Sequence, residues 1–135
     1  MSRVLFVCLH NAGRSQMSQA LFEMVAGGRH DAQSAGTEPA DVIHPNVVTA
    51  MKEDGIDISR RVPRLLTDQL LRWTDLVVTM GCGDSCPVLR GKRYVDWELR
   101  DPKGLSLEEM REIRDDIKVR VADLVKDLDR AGVAR

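Results

Sequence analysis

The chain carries no surplus of charge of either sign: 20 Lys and Arg against 21 Asp and Glu leave a formal net charge of −1 over 135 residues. A nucleic-acid binder shows a basic stripe or a basic pI, so no nucleic-acid partner is expected. Long apolar runs are missing too. The most apolar early stretch, Val4–Leu9, is far shorter than the ~20 residues a membrane span needs and shorter than a signal-peptide core. No membrane partner is expected, and the expected location is the cytoplasm. There is no internal repeat, low-complexity tract or Pro/Gly-rich linker, which favours one domain over residues 1–135 and a monomer. Cysteine is scarce, with three in the chain. In a reducing compartment three cysteines start as thiols rather than a disulfide framework, which makes them candidates for chemistry.

What is present alternates strand and helix. Arg3–Cys8 is a short, nearly all-apolar run, the mark of a central parallel strand buried on both faces. A helix is expected over Ser15–Ala26, with Met17, Ala20, Leu21 and Met24 on its inner stripe and Gly27-Gly28 ending it. Asp31–Ala35 reads as a weaker strand. Pro45 suits a first helical position, with Val47, Val48 and Met51 facing inward and Gly55 stopping the helix. Thr67 is the expected N-cap of a short helix reaching Trp73. Asp75–Met80 and Arg93–Val95 are further strands. Ser106-Leu-Glu-Glu109 is a capping box. It opens a long helix whose stripe is Met110, Ile113, Ile117, Val121, Leu124, Val125 and Leu128. The pattern predicts an α/β fold, a parallel sheet covered on both faces. In such sheets ligands bind beyond the carboxyl ends of the strands, here at Cys8 and after Met80.

Cys8 ends the first strand, and Arg14 stands six residues on, at the mouth of a helix. A loop wrapped before a helix N-terminus turns successive amides inward as a cradle for a tetrahedral oxyanion. The cradle residues are Leu9, His10, Asn11, Ala12 and Gly13, closed by Arg14 and Ser15. Gly13 allows close backbone approach, and Asn11 tolerates positive φ. Arg14 can clamp two oxygens. The same positive field favours a thiolate on Cys8, with Ser15 placed to hydrogen-bond it. An inert strand-end cysteine is the plainer alternative. A nucleotide P-loop is excluded, because Cys8 stands where glycine is required and Arg14 where lysine is. The His10 side chain is expected at the rim.

Cys82 and Cys86 lie in a Gly-, Asp- and Ser-containing loop after the third strand. On spacing alone they are half of a zinc site, a structural pair, or thiols that travel between partners; no metal is expected. Asp101-Pro102 reads either as a turn or as a proton donor placed before the last helix.

The run Val7-Cys8-x5-Arg14-Ser15, opening a helix after the first strand, resembles the low-molecular-weight protein tyrosine phosphatase superfamily. Within it, Asn11 and Arg14-Ser-Gln-Met17 are similar to the thioredoxin-coupled arsenate reductases. Ser34-Ala-Gly36-Thr37, Gly55-Ile-Asp-Ile-Ser59 and Asp75-Leu-Val-Val-Thr79 follow in family order. The resemblance implies a three-layer α/β/α fold with a small four-stranded parallel sheet. It also implies arsenate as substrate, phosphate or sulfate as competing anions, Cys8 as nucleophile, Cys82 and Cys86 as a disulfide relay, and Asp101 as general acid. No bound cofactor is implied; electrons come from thioredoxin or from a low-molecular-weight thiol. The Gly81-Cys82 step and the tight Cys82–Cys86 spacing resemble actinobacterial-type sequences, where mycothiol with a mycoredoxin is the alternative donor. Gln19, Val62 and Arg64 stand at cation-site positions of other members, which argues against potassium. Lys103-Gly104 replace the aromatic residues that follow Asp-Pro in many tyrosine phosphatases, which favours a small inorganic anion. Phosphomonoester hydrolysis, needing only Cys8, Arg14 and Asp101, is the alternative activity.

Overall fold

A computed structural model of the chain describes residues 1–81 and 91–133. Its elements are β1 (Arg3–Cys8), α1 (Arg14–Ala26), β2 (Asp31–Gly36), α2 (Pro45–Glu53), α3 (Asp68–Trp73), β3 (Leu76–Thr79), β4 (Arg93–Asp96) and α4 (Leu107–Val133). The four strands form one parallel sheet in the order β2-β1-β3-β4. The apolar run Val4–Val7 is fully buried and lies centrally, as its composition requires.

Strand alternation divides the core. Val4, Phe6 and Cys8 face α1, α2 and α4 in the larger cluster, with Val78, Met51, Met110 and Ile117. Leu5, Val7 and Val77 face Leu70 and Leu71 of α3 on the other side. The result is the three-layer α/β/α arrangement expected. Phe6 anchors the larger face, with its ring 5.6 Å from Phe22 and 5.7 Å from Trp97.

The caps behave as their chemistry dictates. Thr67 Oγ1 accepts from the Leu70 amide at 3.2 Å. At α4, Ser106 Oγ accepts from Glu109 N at 3.2 Å, while Glu109 Oε1 accepts from Ser106 N at 3.3 Å. One inward assignment is corrected: Met24 is 52% exposed. The last turn of α1 is covered only on the side of Phe22 and Ala26, both fully buried, so the Met17–Leu21 stripe loses its neighbours before it reaches Met24. No described helix is long and apolar enough to cross a membrane.

Candidate active site at the carboxyl end of the sheet

Cys8 is the last residue of β1 and is 2% exposed. The chain then turns through residues 9–13 into α1. Asn11 takes the left-handed conformation, φ 50°, that its short polar side chain tolerates. Its amide N–H donates to Cys8 Sγ at 3.2 Å, so the loop folds back over the sulfur.

The orientation of the Asn11 side chain beside that sulfur follows from one unambiguous donor. The Arg64 backbone N–H donates to Asn11 Oδ1 at 3.0 Å, which fixes the amide orientation. Asn11 Nδ2 therefore donates to Ser15 Oγ at 2.7 Å. Ser15 Oγ lies 2.9 Å from Cys8 Sγ, a hydrogen bond in which the hydroxyl donates when the sulfur is a thiolate and either atom can donate when it is a thiol. Gln16 Nε2 donates a second bond to Asn11 Oδ1 at 3.0 Å. Cys8 Sγ thus accepts from the Asn11 amide and shares a second hydrogen bond with Ser15 Oγ.

Arg14, the first residue of α1, is 4% exposed. Its Nη1 donates to the Leu99 carbonyl at 3.3 Å, and Nη2 lies 3.9 Å from Asp101 Oδ1. Its buried Nε has no partner among the described residues. A buried guanidinium with a donor to spare is built for an anion. Gly81, at φ 79°, leaves room for the guanidinium: a Cβ there would collide with it. Gly13 is needed for a related reason, because a Cβ would meet the Pro102 ring. Gly36 lets β2 pass the loop, since its Cβ would lie 2.7 Å from the Leu9 carbonyl.

Cys8, His10, Ala12, Gly13, Arg14, His44, Asp101 and Pro102 line one shared cavity. The structure therefore brings Cys8, Arg14 and Asp101 to one cavity, with Ser15 behind it bonded to Cys8. Asp101 Oδ1 accepts from Lys103 N at 3.0 Å, which holds the carboxylate at the rim. His10 Nδ1 is 3.0 Å from the Glu38 carbonyl, placing that ring at the rim too. Cys82 and Cys86 lie outside the described residues. Among the described residues no cluster of His, Cys, Asp and Glu could hold a metal ion.

His44 was not expected as part of this wall. Burial holds its ring below the ordinary 6.5, Asp101 opposes that effect, and His10, Lys103 and Arg14 add to it. No sequence pattern marks it, because its place depends on where the N-terminus of α2 docks.

A Cys-x5-Arg loop between a central parallel strand and the helix that follows it defines a class of protein. The chain belongs to the low molecular weight phosphotyrosine protein phosphatase family, whose profile matches residues 3–134. It is also similar to particular members. Arsenate reductase 1 of Staphylococcus epidermidis is 36% identical over 122 residues, spanning 87% of this chain and 91% of that protein. The solved thioredoxin-dependent arsenate reductase of Corynebacterium glutamicum is 43% identical with a TM-score of 0.82; the match covers 97% of this chain and 63% of that one. A solved arsenate reductase in its phosphate-binding state is 34% identical with a TM-score of 0.81, covering 94% of this chain and 98% of that one.

Proposed function

We propose that the protein is an arsenate reductase. The observation that carries this reading is the Cys8 sulfur held by Ser15 Oγ at 2.9 Å and Asn11 N at 3.2 Å, in one cavity with a buried arginine. Its likeness to proteins named arsenate reductases supports the choice of substrate.

Arsenate sits against the loop amides of Leu9, His10, Asn11, Ala12 and Gly13, with Arg14 clamping it. The Cys8 thiolate attacks arsenic and an oxygen leaves as water, protonated by Asp101. This gives a Cys8–arsenate adduct. The Cys82 thiolate attacks the Cys8 sulfur; the S–As electron pair stays on arsenic, which departs as arsenite, and a Cys8–Cys82 disulfide remains. Cys86 then attacks Cys82, restoring the Cys8 thiolate and leaving a Cys82–Cys86 disulfide. An external dithiol reduces that bond. Thioredoxin is the proposed donor, by likeness to the Corynebacterium protein; mycothiol with a mycoredoxin is the alternative. Arsenic gains two electrons and two thiols lose them, so the cycle balances. Phosphate and sulfate occupy the cradle without accepting electrons and so compete. The setting is a cytoplasmic detoxifying monomer of one domain, with no bound cofactor.

The second reading is a phosphatase, which the family membership favours. The two separate on Cys82→Ser. A reductase loses arsenite formation but keeps any weak hydrolysis of p-nitrophenyl phosphate. Equal loss of both activities, or loss of neither, overturns the relay.

A further inference from the structure

One ring in the cavity wall has no part in the chemistry above. His44 stands at the N-cap position of α2 with no side-chain cap bond, and its backbone N–H donates to the Ala12 carbonyl at 3.0 Å, which ties its backbone to the cradle loop. Its Cδ2 lies 3.5 Å from where a Gly13 side chain would begin. The imidazole shares the cavity with Cys8 and Arg14. Resting on the oxyanion reading of that cavity, we propose that His44 sets the affinity of the bound anion, adding a second positive charge beside Arg14 when its ring carries a proton.

The groups facing the ring decide when that happens. Asp101 and Lys103 face it from the segment before α4, His10 from the cradle loop and Arg14 from α1. In the free site, burial is the largest influence and favours the neutral ring; Lys103, Arg14 and His10 act in the same direction, and Asp101 opposes them, as does a thiolate on Cys8 in the same cavity. A dianion resting on Arg14 reverses this balance, because it offsets the arginine and attracts the imidazolium. Binding and protonation are then linked, and each strengthens the other by the same factor. One unit charge sharing a partly solvated cavity with a dianion changes affinity on the order of tenfold. Tight binding therefore belongs to the acid side and is lost as pH rises through the ring's titration.

Sulfate is the probe, because it stays a dianion across the range in which histidine titrates. Its affinity is read from the amide shifts of residues 9–15 in isotope-labelled protein at ~pH 5.5 and ~pH 7.5. The wild type should bind sulfate about tenfold more tightly at the lower pH. His44→Gln should bind it equally at both, and His10→Gln should keep the dependence. In the unsubstituted protein the His44 ring should also titrate at higher pH when saturated with sulfate, a readout that needs no variant. A pH dependence that survives in His44→Gln, equal wild-type affinity at both values, or a His44 titration unmoved by sulfate overturns the proposal. Sulfate that binds at neither pH overturns the oxyanion cradle itself.

Discussion

The Arg64 backbone N–H donates to Asn11 Oδ1 at 3.0 Å, across 53 residues of sequence. That bond, made by a backbone group far from the nucleophile in the chain, fixes the orientation of the Asn11 side-chain amide. With Oδ1 committed, Nδ2 must point to Ser15, and a thiolate on Cys8 then receives the Ser15 proton. The sulfur's environment is therefore built from the loop before α3 as much as from its own.

Asn11→Asp tests this chain of direction. Aspartate keeps the acceptor for Arg64 N–H and tolerates the left-handed backbone. It cannot donate to Ser15, whose proton then turns to the carboxylate and leaves Cys8. A hydrogen bond to a charged group contributes ~1.5–3 kcal/mol, so arsenate-dependent turnover should fall by roughly ten- to a hundredfold. Steady-state rates check this, with circular dichroism confirming the fold. An unchanged rate overturns the assigned directions.

Gly81→Ala should weaken the site through Arg14. The added Cβ meets the guanidinium, and φ 79° is a conformation that costs an L-residue ~1–2 kcal/mol. The expected results are a lower melting temperature and weaker phosphate binding by calorimetry. Arg14→Lys, by contrast, should leave stability nearly intact while reducing phosphate affinity on the order of tenfold, because the two-pronged contact is lost. Equal phosphate affinity in all three proteins contradicts the arginine's role.

Acid stability should depend on a network remote from the site. Glu53 accepts from Arg111 at 2.7 Å and Arg114 at 2.9 Å. The Arg111 hydrogen bonds lead in pulling its carboxyl from 4.5 down to about 2. Because the folded value lies below the unfolded one, the stabilisation is complete above about pH 4.5 and is lost as pH falls toward about 2. Glu53→Gln should therefore show a shallower loss of stability over that window in urea titrations at fixed pH. Parallel curves for the two proteins contradict the assignment.

The burial of Trp97, 7% exposed and 5.7 Å from Phe6, predicts a core role. Trp97→Ala should cost ~3–5 kcal/mol by denaturant unfolding. A cost under ~1 kcal/mol shows that the larger core does not depend on it.

Much of this was legible in the sequence because it rests on local chemistry. Val4–Val7 is too apolar for anything but a central strand. The Ser106–Glu109 box and Thr67 announced their helices by short-range bonds, and Cys8, Arg14 and Ser15 are joined by one turn and one helix start. The site residues that escaped notice reach it through tertiary docking. His44 arrives because α2 packs against the cradle loop, Leu99 O because the segment after β4 passes over Arg14, and the Arg64 amide because residue 65 pairs with Gly36. Helical spacing put Met24 inside, since periodicity reports which face is apolar but not where the neighbour ends. Gly13 and Gly81 were visible as glycines, but the Pro102 ring and the Arg14 guanidinium that require them were not.

The most direct test of the account is to add one equivalent of arsenate to fully reduced protein without any donor, then count thiols, arsenite and disulfides by mass spectrometry. The account predicts one arsenite and two thiols lost per chain, with the bond between Cys82 and Cys86 and Cys8 again free. Arsenite formation with Cys82 and Cys86 still reduced, or no thiol loss at all, contradicts it.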